Sequence, residues 1–207
     1  MDNEFISRGE RTRADIISAA YRLFIRHGYH GTSMREITKE AGISLGAIYN
    51  HFESKEDLFS AVLEAYHPYH EILPAIRSAK GDTIEAFVKD AARYLVSALD
   101  RRPDFLNLMF IEIVEFKSQH VPRLYEKLLP QIIDLVQVVS RKGGELRPIP
   151  LPMVIRAFIG LFFSYQITEI LLGKQMAPEL RENALDHFVE IFLYGIAQTT
   201  QPIKERS

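Results

Sequence analysis

The sequence predicts an all-α protein, with a small head of three helices followed by a larger helical domain. Apolar residues recur at intervals of three and four along most of the chain, which is the period of an amphipathic helix. Serine, threonine, glycine and proline stand at the ends of these segments, where helices begin and end. No alternating strand pattern competes with this reading. We predict domain ranges of 9–69 and 70–207 for the 207 residues.

The composition indicates a soluble globular protein. Hydrophobic residues make up 47% of the chain, which is enough for a packed core. The chain has no cysteine, and this excludes disulfides, thiolate metal sites and a cysteine nucleophile. The net charge is -2, so the total charge does not indicate nucleic-acid binding. An argument for such binding must depend on where the charges lie.

Two segments bear on the location of the protein. Residues 1–13 contain no apolar stretch of signal-peptide length, so a cytoplasmic location is expected. The most apolar run, 154–172, is interrupted by Arg156, Gln166 and Glu169 and falls short of a membrane span. We therefore expect this run to form a buried helix, and we expect no membrane partner.

The first predicted helix ends at Gly28, because glycine accommodates the backbone conformation that follows a helix. Its apolar stripe consists of Ile16, Ala20, Leu23 and Phe24. Three arginines precede this helix, and two interpretations of them stand: contact with phosphate beside a DNA groove, or a solvated helix start. These arginines are Arg8, Arg11 and Arg13.

Residues 33–52 predict two short helices joined by a tight turn, which is a helix-turn-helix. Ser33 and Glu36 have the spacing of a capping box, so the first of these helices begins at Met34. Gly42 ends it, because glycine adopts the left-handed conformation without a steric penalty. The second helix follows at once.

Ser44 caps this second helix, in which Ile48 and Phe52 are four residues apart and face inward. Small and aromatic residues are left on the outer face, which suits a helix that lies in a groove. The outward residues are Leu45, Gly46, Tyr49 and His51. Ser54 and Asp57 then repeat the capping spacing, so a further helix begins at Lys55.

The run 42–59, GISLGAIYNHFESKEDLF, resembles the signature of the TetR family of transcriptional regulators, and so does GYHGTSMREI at 28–37. The resemblance covers about the first third of the chain. One departure is Thr38, where the family pattern usually has alanine, and it affects only local packing. The resemblance implies a dimeric regulator with no enzymatic activity and no cofactor. A small, largely apolar effector of unknown identity would release this repressor from a palindromic operator in double-stranded DNA.

The resemblance also implies which side chains contact DNA. Tyr49, His51 and Lys55 match positions that contact the DNA backbone, whereas 44–46 lie where the second helix approaches base edges. For Tyr49, ordinary packing stays open as an alternative. The full predicted set is Thr32, Ser33, Arg35, Ser44, Leu45, Gly46, Ala47, Tyr49, Asn50, His51 and Lys55.

A second motif overlaps this segment, because 42–46 also satisfy the G-x-S-x-G pattern of a hydrolase nucleophile. That pattern requires a strand before Ser44, and 35–41 have helical periodicity instead. We therefore interpret Ser44 as a helix cap and predict no catalytic residue. Two alternatives remain: a dimeric DNA-binding or structural protein without an effector, and a hydrolase that uses Ser44.

The remainder of the chain predicts more helices. Pro68, Pro74 and Gly81 make helix continuity doubtful over 66–81, and we interpret His67 and His70 there as linker residues, with no metal site. Further helices are predicted at 82–100, at 104–118, from Pro122 with a kink at Pro130 to Gly143–Gly144, at Met153–Leu172 and at Pro178–Ala197, before a disordered tail at Thr199–Ser207.

The last of these helices has a wide apolar stripe that one partner helix cannot cover. We therefore predict that the last two helices pair with their symmetry mates as a four-helix bundle in a homodimer. The predicted interface residues are Leu185, Phe188, Val189, Phe192 and Ile196.

The second domain is expected to hold the effector among its many aromatic side chains. Glu112 falls at the edge of an apolar arc, where a carboxylate needs a partner. It pairs with a base such as Arg156, which we prefer, or is exposed, or contacts the ligand. The predicted pocket residues are Phe87, Tyr94, Phe105, Met109, Glu112, Phe116, Tyr125, Phe158, Phe162 and Tyr165.

Overall fold

The computed structural model describes residues 7–142 and 147–196, and over these ranges the chain is all-α, as predicted. The predicted helix end at Gly143–Gly144, the end of the last helix at Ala197 and the disordered tail at 199–207 lie outside the described residues. The helices are α1 (Arg8–His27), α2 (Met34–Ala41), α3 (Leu45–Ile48), α4 (Lys55–Tyr66), α5 (Tyr69–Arg77), α6 (Ile84–Asp100), α7 (Phe105–Glu115), α8 (Val121–Ser140), α9 (Leu151–Leu172), α10 (Pro178–Arg181) and α11 (Ala184–Ile196).

Hydroxyl side chains begin the helices of the head, and those of α2, α3 and α4 stand at the predicted places. Each hydroxyl accepts a hydrogen bond from a backbone amide three residues later, which satisfies one of the donors that a helix start leaves open. Such caps are made by Ser7, Ser33, Ser44 and Ser54, and Thr83 does the same for α6.

Several helices differ from the sequence expectation. The helix α1 begins at Arg8 and so includes the three arginines that were predicted to precede it. The predicted helix Pro178–Ala197 is divided into α10 and α11, and Asn183 between them has φ 59. The helix α3 ends at Ile48, and the turns that follow hold the rest of the predicted segment. The short helix α5 continues through Pro74, in a segment where the prolines made continuity doubtful. The helix α6 begins at Ile84 behind a Thr83 cap, instead of at Asp82. The local cap decides this last start.

The described residues form two compact units. The first contains 7–67 and 103–126, and the second contains 68–102, 127–142 and 147–196. The sequence assigned 103–126 to the second domain. In the first unit α7 instead packs against α1 and α4, so the chain returns to the head before it completes the second unit.

The core of the first unit is aromatic and aliphatic. Phe24, Phe59 and Ile48 are completely buried there, and α7 adds the buried Leu108 and Phe116. The ring of Phe116 stacks on that of Phe59, with centroids 4.6 Å apart. Because α7 supplies part of this core, the head is more than the three helices that the sequence predicted.

The second unit is built on contacts of α6 with α5, α9 and α11, and of α9 with α11. Phe162 is completely buried in it, and Phe158 and Phe192 form a ring pair with centroids 5.5 Å apart. On the polar side, the Gln166 side-chain amide donates to Asp100 at 2.8 Å. The long helix α9 thus has one side in the core.

The other side of α9 is apolar and exposed, so the expectation of a buried helix is wrong. Its residues 151–172 are long and apolar enough to cross a membrane, but only 28% of the most apolar window is buried within the chain. Length and composition alone are weak evidence for a membrane span. The exposed large residues are Met153, Ile159, Ile170, Leu171 and Leu172. We expect another protein surface to pack against this exposed apolar face.

Candidate DNA-binding surface

The turn between α2 and α3 has the predicted geometry. Gly42 lies in the left-handed region at φ 68 and ψ 31, and the Ile43 amide donates to the Thr38 carbonyl at 3.0 Å. At the start of α2, the Ser33 amide donates to the Glu36 carboxylate at 2.8 Å. The hydrogen bonds from the Ser33 side chain and then from its backbone lower the pKa of Glu36. The capping box therefore favours the charged form of Glu36.

The helix α3 presents its outer face to solvent. Ile48 is completely buried, whereas Leu45 is 38% exposed and Tyr49 is 52% exposed. At Gly46 the position where a side chain would begin has no packed neighbour within 4 Å, so open space lies in front of this backbone. His51 continues the turn by donating its amide to the Ile48 carbonyl at 3.0 Å. The surface is shallow, and the backbone of α3 can be approached closely.

The side chain of Lys55 stabilises the loop that precedes α2. Its ammonium donates to the carbonyls of Tyr29 at 2.9 Å and Thr32 at 2.8 Å, and it lies 4.1 Å from the centroid of the Tyr29 ring. Burial lowers the pKa of Lys55, and the charge of Glu36 partly opposes this shift. An ammonium has three donors, so one remains for a phosphate. Lys55 is therefore both a structural residue and a candidate for DNA contact.

Most of the predicted contact residues lie at the surface, but Thr32 does not. It is 2% exposed, and its hydroxyl donates to the Gly28 carbonyl at 2.9 Å, so its side chain belongs to the interior of the head. The half-buried members of the predicted set are Ala47, His51 and Lys55, and the exposed members are Ser33, Arg35, Ser44, Leu45, Gly46, Tyr49 and Asn50.

Arg13 lies beside this surface because of a contact between residues that are distant in the sequence. The guanidinium of Arg13 lies 4.6 Å from the centroid of the Phe52 ring, a cation–π contact at the end of the helix-turn-helix. Its basic character was visible in the sequence, but the contact joins residues that are far apart in the chain. Arg13 becomes a candidate for phosphate contact beside α3.

Replacing Lys55 by methionine is expected to act on both stability and DNA binding. Two hydrogen bonds from a charged donor are lost, which should cost about 2–4 kcal/mol of unfolding free energy. The salt dependence of DNA binding should also flatten, by a slope of about 0.9 per protomer for one lost phosphate contact. Thermal unfolding without DNA measures the first effect, and titrations at several salt concentrations measure the second. Tyr49→Phe, at an exposed position, should weaken binding to all sequences but leave unfolding unchanged. An unaltered salt slope in Lys55→Met would show that Lys55 contacts no phosphate.

Glu112 is paired inside the first unit, and the predicted pair with Arg156 is wrong. The Glu112 carboxyl group is completely buried and accepts the His120 backbone amide at 2.8 Å. Its other oxygen lies 2.7 Å from Nδ1 of the His120 ring. Arg156 is exposed. The carboxyl group therefore satisfies its polar atoms within its own neighbourhood.

The last residue of α7 and the corner that follows it, residues 116–120, each contact the helix-turn-helix region. Gln119 donates to the Glu56 carboxylate at 2.7 Å, next to Lys55 in the first turn of α4. Glu115 lies 2.7 Å from Nε2 of His30, in the loop before α2. These contacts thus connect the loop before α2 with the start of α4.

The structure does not place most of the predicted effector-pocket residues around one cleft. Phe105, Met109, Glu112 and Phe116 belong to the first unit, where the last three pack with or beside its core. Tyr94 and Tyr125 are 40% and 52% exposed. Phe162 is completely buried, and Tyr165 packs edge-on against Phe188 with ring centroids 5.1 Å apart. Phe87 and Phe158 line a cleft in the described part of the second unit.

That cleft lies within the second unit and has about 440 Å³ of empty space, part of it open to solvent. Its lining is aliphatic more than aromatic, and all the residues around it are apolar. The lining residues are Ile76, Ile84, Phe87, Val88, Ala91, Leu135, Val139, Val154, Ile155, Phe158, Ile159, Phe192 and Ile196. The lining residues on α6 recur at helical intervals and therefore share one face of that helix. This periodicity was the signal available in the sequence.

The predicted dimer stripe on α11 is mostly interior. Val189, Phe192 and Ile196 are 1%, 5% and 6% exposed, because they pack within their own chain. The exposed apolar residues of this helix are instead Ile191 at 62% and Tyr194 at 74%. With the uncovered side of α9, they form an exposed apolar face, defined here as Met153, Ile159, Ile170, Leu171, Leu172, Ile191 and Tyr194.

Comparison with known proteins relates both units to transcriptional regulators. Residues 16–62 match the family described as bacterial regulatory proteins, tetR family. The HTH-type transcriptional regulator YvkB of Bacillus subtilis (strain 168) is 23% identical over 188 residues, 90% of this chain and 97% of YvkB. AcrR of Shigella flexneri, an HTH-type transcriptional regulator, is 49% identical over 55 residues, 27% of this chain and 26% of AcrR. A crystal structure described as a TetR-family transcriptional regulator from Mesorhizobium loti MAFF303099 has a TM-score of 0.70 and 25% identity, and the alignment covers 93% of this chain and 100% of that one.

Proposed function

Since the chain is a helix-turn-helix transcriptional regulator of the TetR family, we propose that it acts as a cytoplasmic homodimeric repressor. Each protomer places α3 in the major groove of one half of a palindromic operator. A small, largely apolar effector enters the cleft of the second unit and releases the DNA. Occupation of the operator represses transcription, because a bound dimer excludes other proteins from that DNA.

The exposed face of α3 is the observation that carries the DNA-binding part of this proposal. Leu45 and Tyr49 are exposed apolar or aromatic side chains, and the space before Gly46 is open. A solvated helix face would normally carry charged residues. An apolar side chain at Leu45 suits contact with a thymine methyl group, whereas Arg13 and Arg35 suit phosphate.

The exposed apolar face on α9 and α11 supports dimerisation. Large exposed apolar surfaces mark interaction sites, and two copies of this face cover each other about a twofold axis. Such a dimer presents two copies of α3 to half-sites about one helical turn apart, or slightly more. Each protomer then reads one half of the palindrome.

The cleft supports the effector part of the proposal. It is concave and lined by apolar residues, as small-molecule sites usually are. An effector releases DNA only if it binds the DNA-free arrangement more tightly than the DNA-bound one. The hydrolase alternative has no support in the geometry, because Ser44 follows helix α2 and its hydroxyl accepts the Ala47 amide at 3.2 Å.

Selection from a pool of random DNA duplexes tests the proposal. The full-length protein is expected to enrich a short palindrome, and Leu45→Ala should change the preferred base at one position in each half-site. A mismatched base pair in a site costs about 1–3 kcal/mol, which sets the upper range of discrimination that Leu45→Ala removes at that position. Leu129→Ala is the matched control, since Leu129 is 40% exposed and Leu45 is 38% exposed. This control should select the wild-type sequence. Enrichment of no palindrome by the wild-type protein would contradict the function, and an unchanged preference in Leu45→Ala would contradict the docking of α3.

A further inference from the structure

From the charges at the edge of the cleft, we infer that it takes an amphiphilic anion, a carboxylate with a hydrocarbon chain. This inference rests on the proposed effector function and adds the chemical class of the effector. The hydrocarbon lies in the cleft, where every lining residue is apolar. The carboxylate stays at the edge, beside Lys142 and Arg147.

Lys142 stands on the α8 wall of the cleft. Val139 lines the cleft, and Lys142 follows it by three residues, with its amide donating to the Val139 carbonyl at 3.1 Å. The Lys142 ammonium lies 5.1 Å from the centroid of the Phe87 ring, which lines the cleft on α6. The ammonium is therefore held against the cleft wall, where a carboxylate can reach it.

Arg147 stands at the α11 side of the same cleft. Its amide donates to the carbonyl of Ile196, a lining residue, at 2.8 Å, and its guanidinium donates to the Gly195 carbonyl at 3.0 Å. A guanidinium has five donors, so this bond leaves others for a carboxylate. Two cations thus flank the cleft, one just after α8 and one beside α11.

The position of the lining residues along their helices points to one end of the unit. Lining residues come from the start of α6 and α9, and from the end of α8 and α11. Lys142 and Arg147 follow or adjoin the same helix ends. An entirely apolar cleft gives no partner to a polar group inside it, so a polar effector must leave its head group at this edge.

Two features of the second unit define alternatives to an anionic ligand at this edge. Cations at the C-terminal ends of helices also compensate the helix dipole, so Lys142 and Arg147 would be present there without any ligand. Lys142 already donates to the Gly81 carbonyl at 2.9 Å, and the exposed Asp82 comes next in the chain. If Asp82 dominates the edge, a cationic amphiphile binds instead of an anionic one.

Calorimetry with three twelve-carbon probes separates these cases. Dodecanoate, dodecan-1-ol and dodecylamine are titrated, below micelle-forming concentrations, into the full-length protein without DNA. Dodecanoate is expected to bind about tenfold more tightly than the alcohol, as one charge-assisted contact provides, and the amine is expected to bind most weakly. Equal binding of dodecanoate and alcohol, tighter binding of the amine, or no binding of dodecanoate overturns the inference.

Variants locate the head group. Lys142→Met and Arg147→Met should each weaken dodecanoate binding about tenfold and leave the alcohol within about twofold. Lys142→Arg should retain the preference for the carboxylate, which shows that a loss in Lys142→Met is not caused by misfolding. Lys174→Met is the matched control, since Lys174 is exposed near the opposite end of α9, about 22 Å along the helix axis from the lining residue Ile159. An unchanged carboxylate preference in both methionine variants overturns the assignment.

One further variant tests whether the hydrocarbon occupies the cleft. Ile159→Trp, at a lining position that is 39% exposed, should block binding of dodecanoate and alcohol alike. Retained binding would place the site elsewhere and overturn the inference. Release of operator DNA is measured separately. If the probes bind with the expected preferences but do not release the DNA, only the effector function is contradicted. If another compound releases the DNA and the three probes bind equally well, only the inference of an anionic effector is contradicted.

Discussion

Replacing Ile191 and Tyr194 together by aspartate is expected to give a folded monomer that no longer binds the operator. Both side chains are mostly exposed, so the substitutions leave the core of the chain intact. Two charged groups on each protomer would have to be buried at the proposed interface, and unpaired buried charges are strongly unfavourable. Operator affinity should fall by about 10²–10⁴, because a monomer loses the gain from occupying two half-sites at once.

Sedimentation velocity measures the oligomeric state, and circular dichroism shows whether the monomer is folded. Phe192→Asp gives the contrasting result, because Phe192 is 5% exposed and packs against Phe158 in the core. A charge there should unfold the second unit, with a loss of several kcal/mol.

The matched control places the same charges on another exposed apolar pair. Tyr125 and Ile133 on α8 are 52% and 49% exposed, and their replacement by aspartate should leave a dimer. A dimer that survives in the Ile191 and Tyr194 variant would show that α11 does not contribute to the interface. A monomer in the α8 variant would show that the interface lies elsewhere.

His120→Phe is expected to lower the unfolding free energy of the first unit by about 3–5 kcal/mol, the usual cost of removing one partner of a buried pair. Glu112 would keep the backbone amide of residue 120 as a donor, and its carboxyl group is completely buried. DNA binding should weaken with it, because the corner that contains His120 contacts the first turn of α4. Thermal unfolding with and without operator DNA measures both effects.

A similar pair at the surface provides the control. His30 and Glu115 are also 2.7 Å apart, but their side chains are 75% and 34% exposed, so His30→Phe should cost at most about 1 kcal/mol. In the buried pair, the double variant Glu112→Leu with His120→Phe should recover part of the stability, since no polar group is then left unpaired. A double variant that is less stable than His120→Phe alone would mean that Glu112 contributes through other contacts.

Much of the head was predictable, because its determinants lie within four residues of one another. The Ser33 and Glu36 capping box, the left-handed Gly42 and the caps at Ser44 and Ser54 all occur where their spacing predicted. A cap or a glycine turn satisfies backbone groups of its own helix end, so its outcome depends little on the rest of the chain. The all-α class follows from the same short-range periodicity.

Side-chain periodicity also predicted which face of α3 is exposed, but not how a wide apolar stripe is divided. On α11 the stripe was too broad for one partner, and the sequence could not say which part of it faces the core. The structure buries Phe192 and leaves Ile191 exposed, although the two are neighbours in the chain. Which residue is covered depends on where α6 and α9 pass, and this is a property of packing between distant segments.

The sequence by itself therefore determined the all-α class, the starts of α2, α3 and α4 and the exposed face of α3, because these depend on local hydrogen bonds and periodicity. Tertiary structure alone decided that α7 packs in the first unit, that Glu112 pairs with His120, and that Thr32 is buried. It also placed the cleft among aliphatic side chains of α6, α8, α9 and α11. Each of these outcomes depends on which distant residues exclude water together, and no spacing along a single helix contains that information.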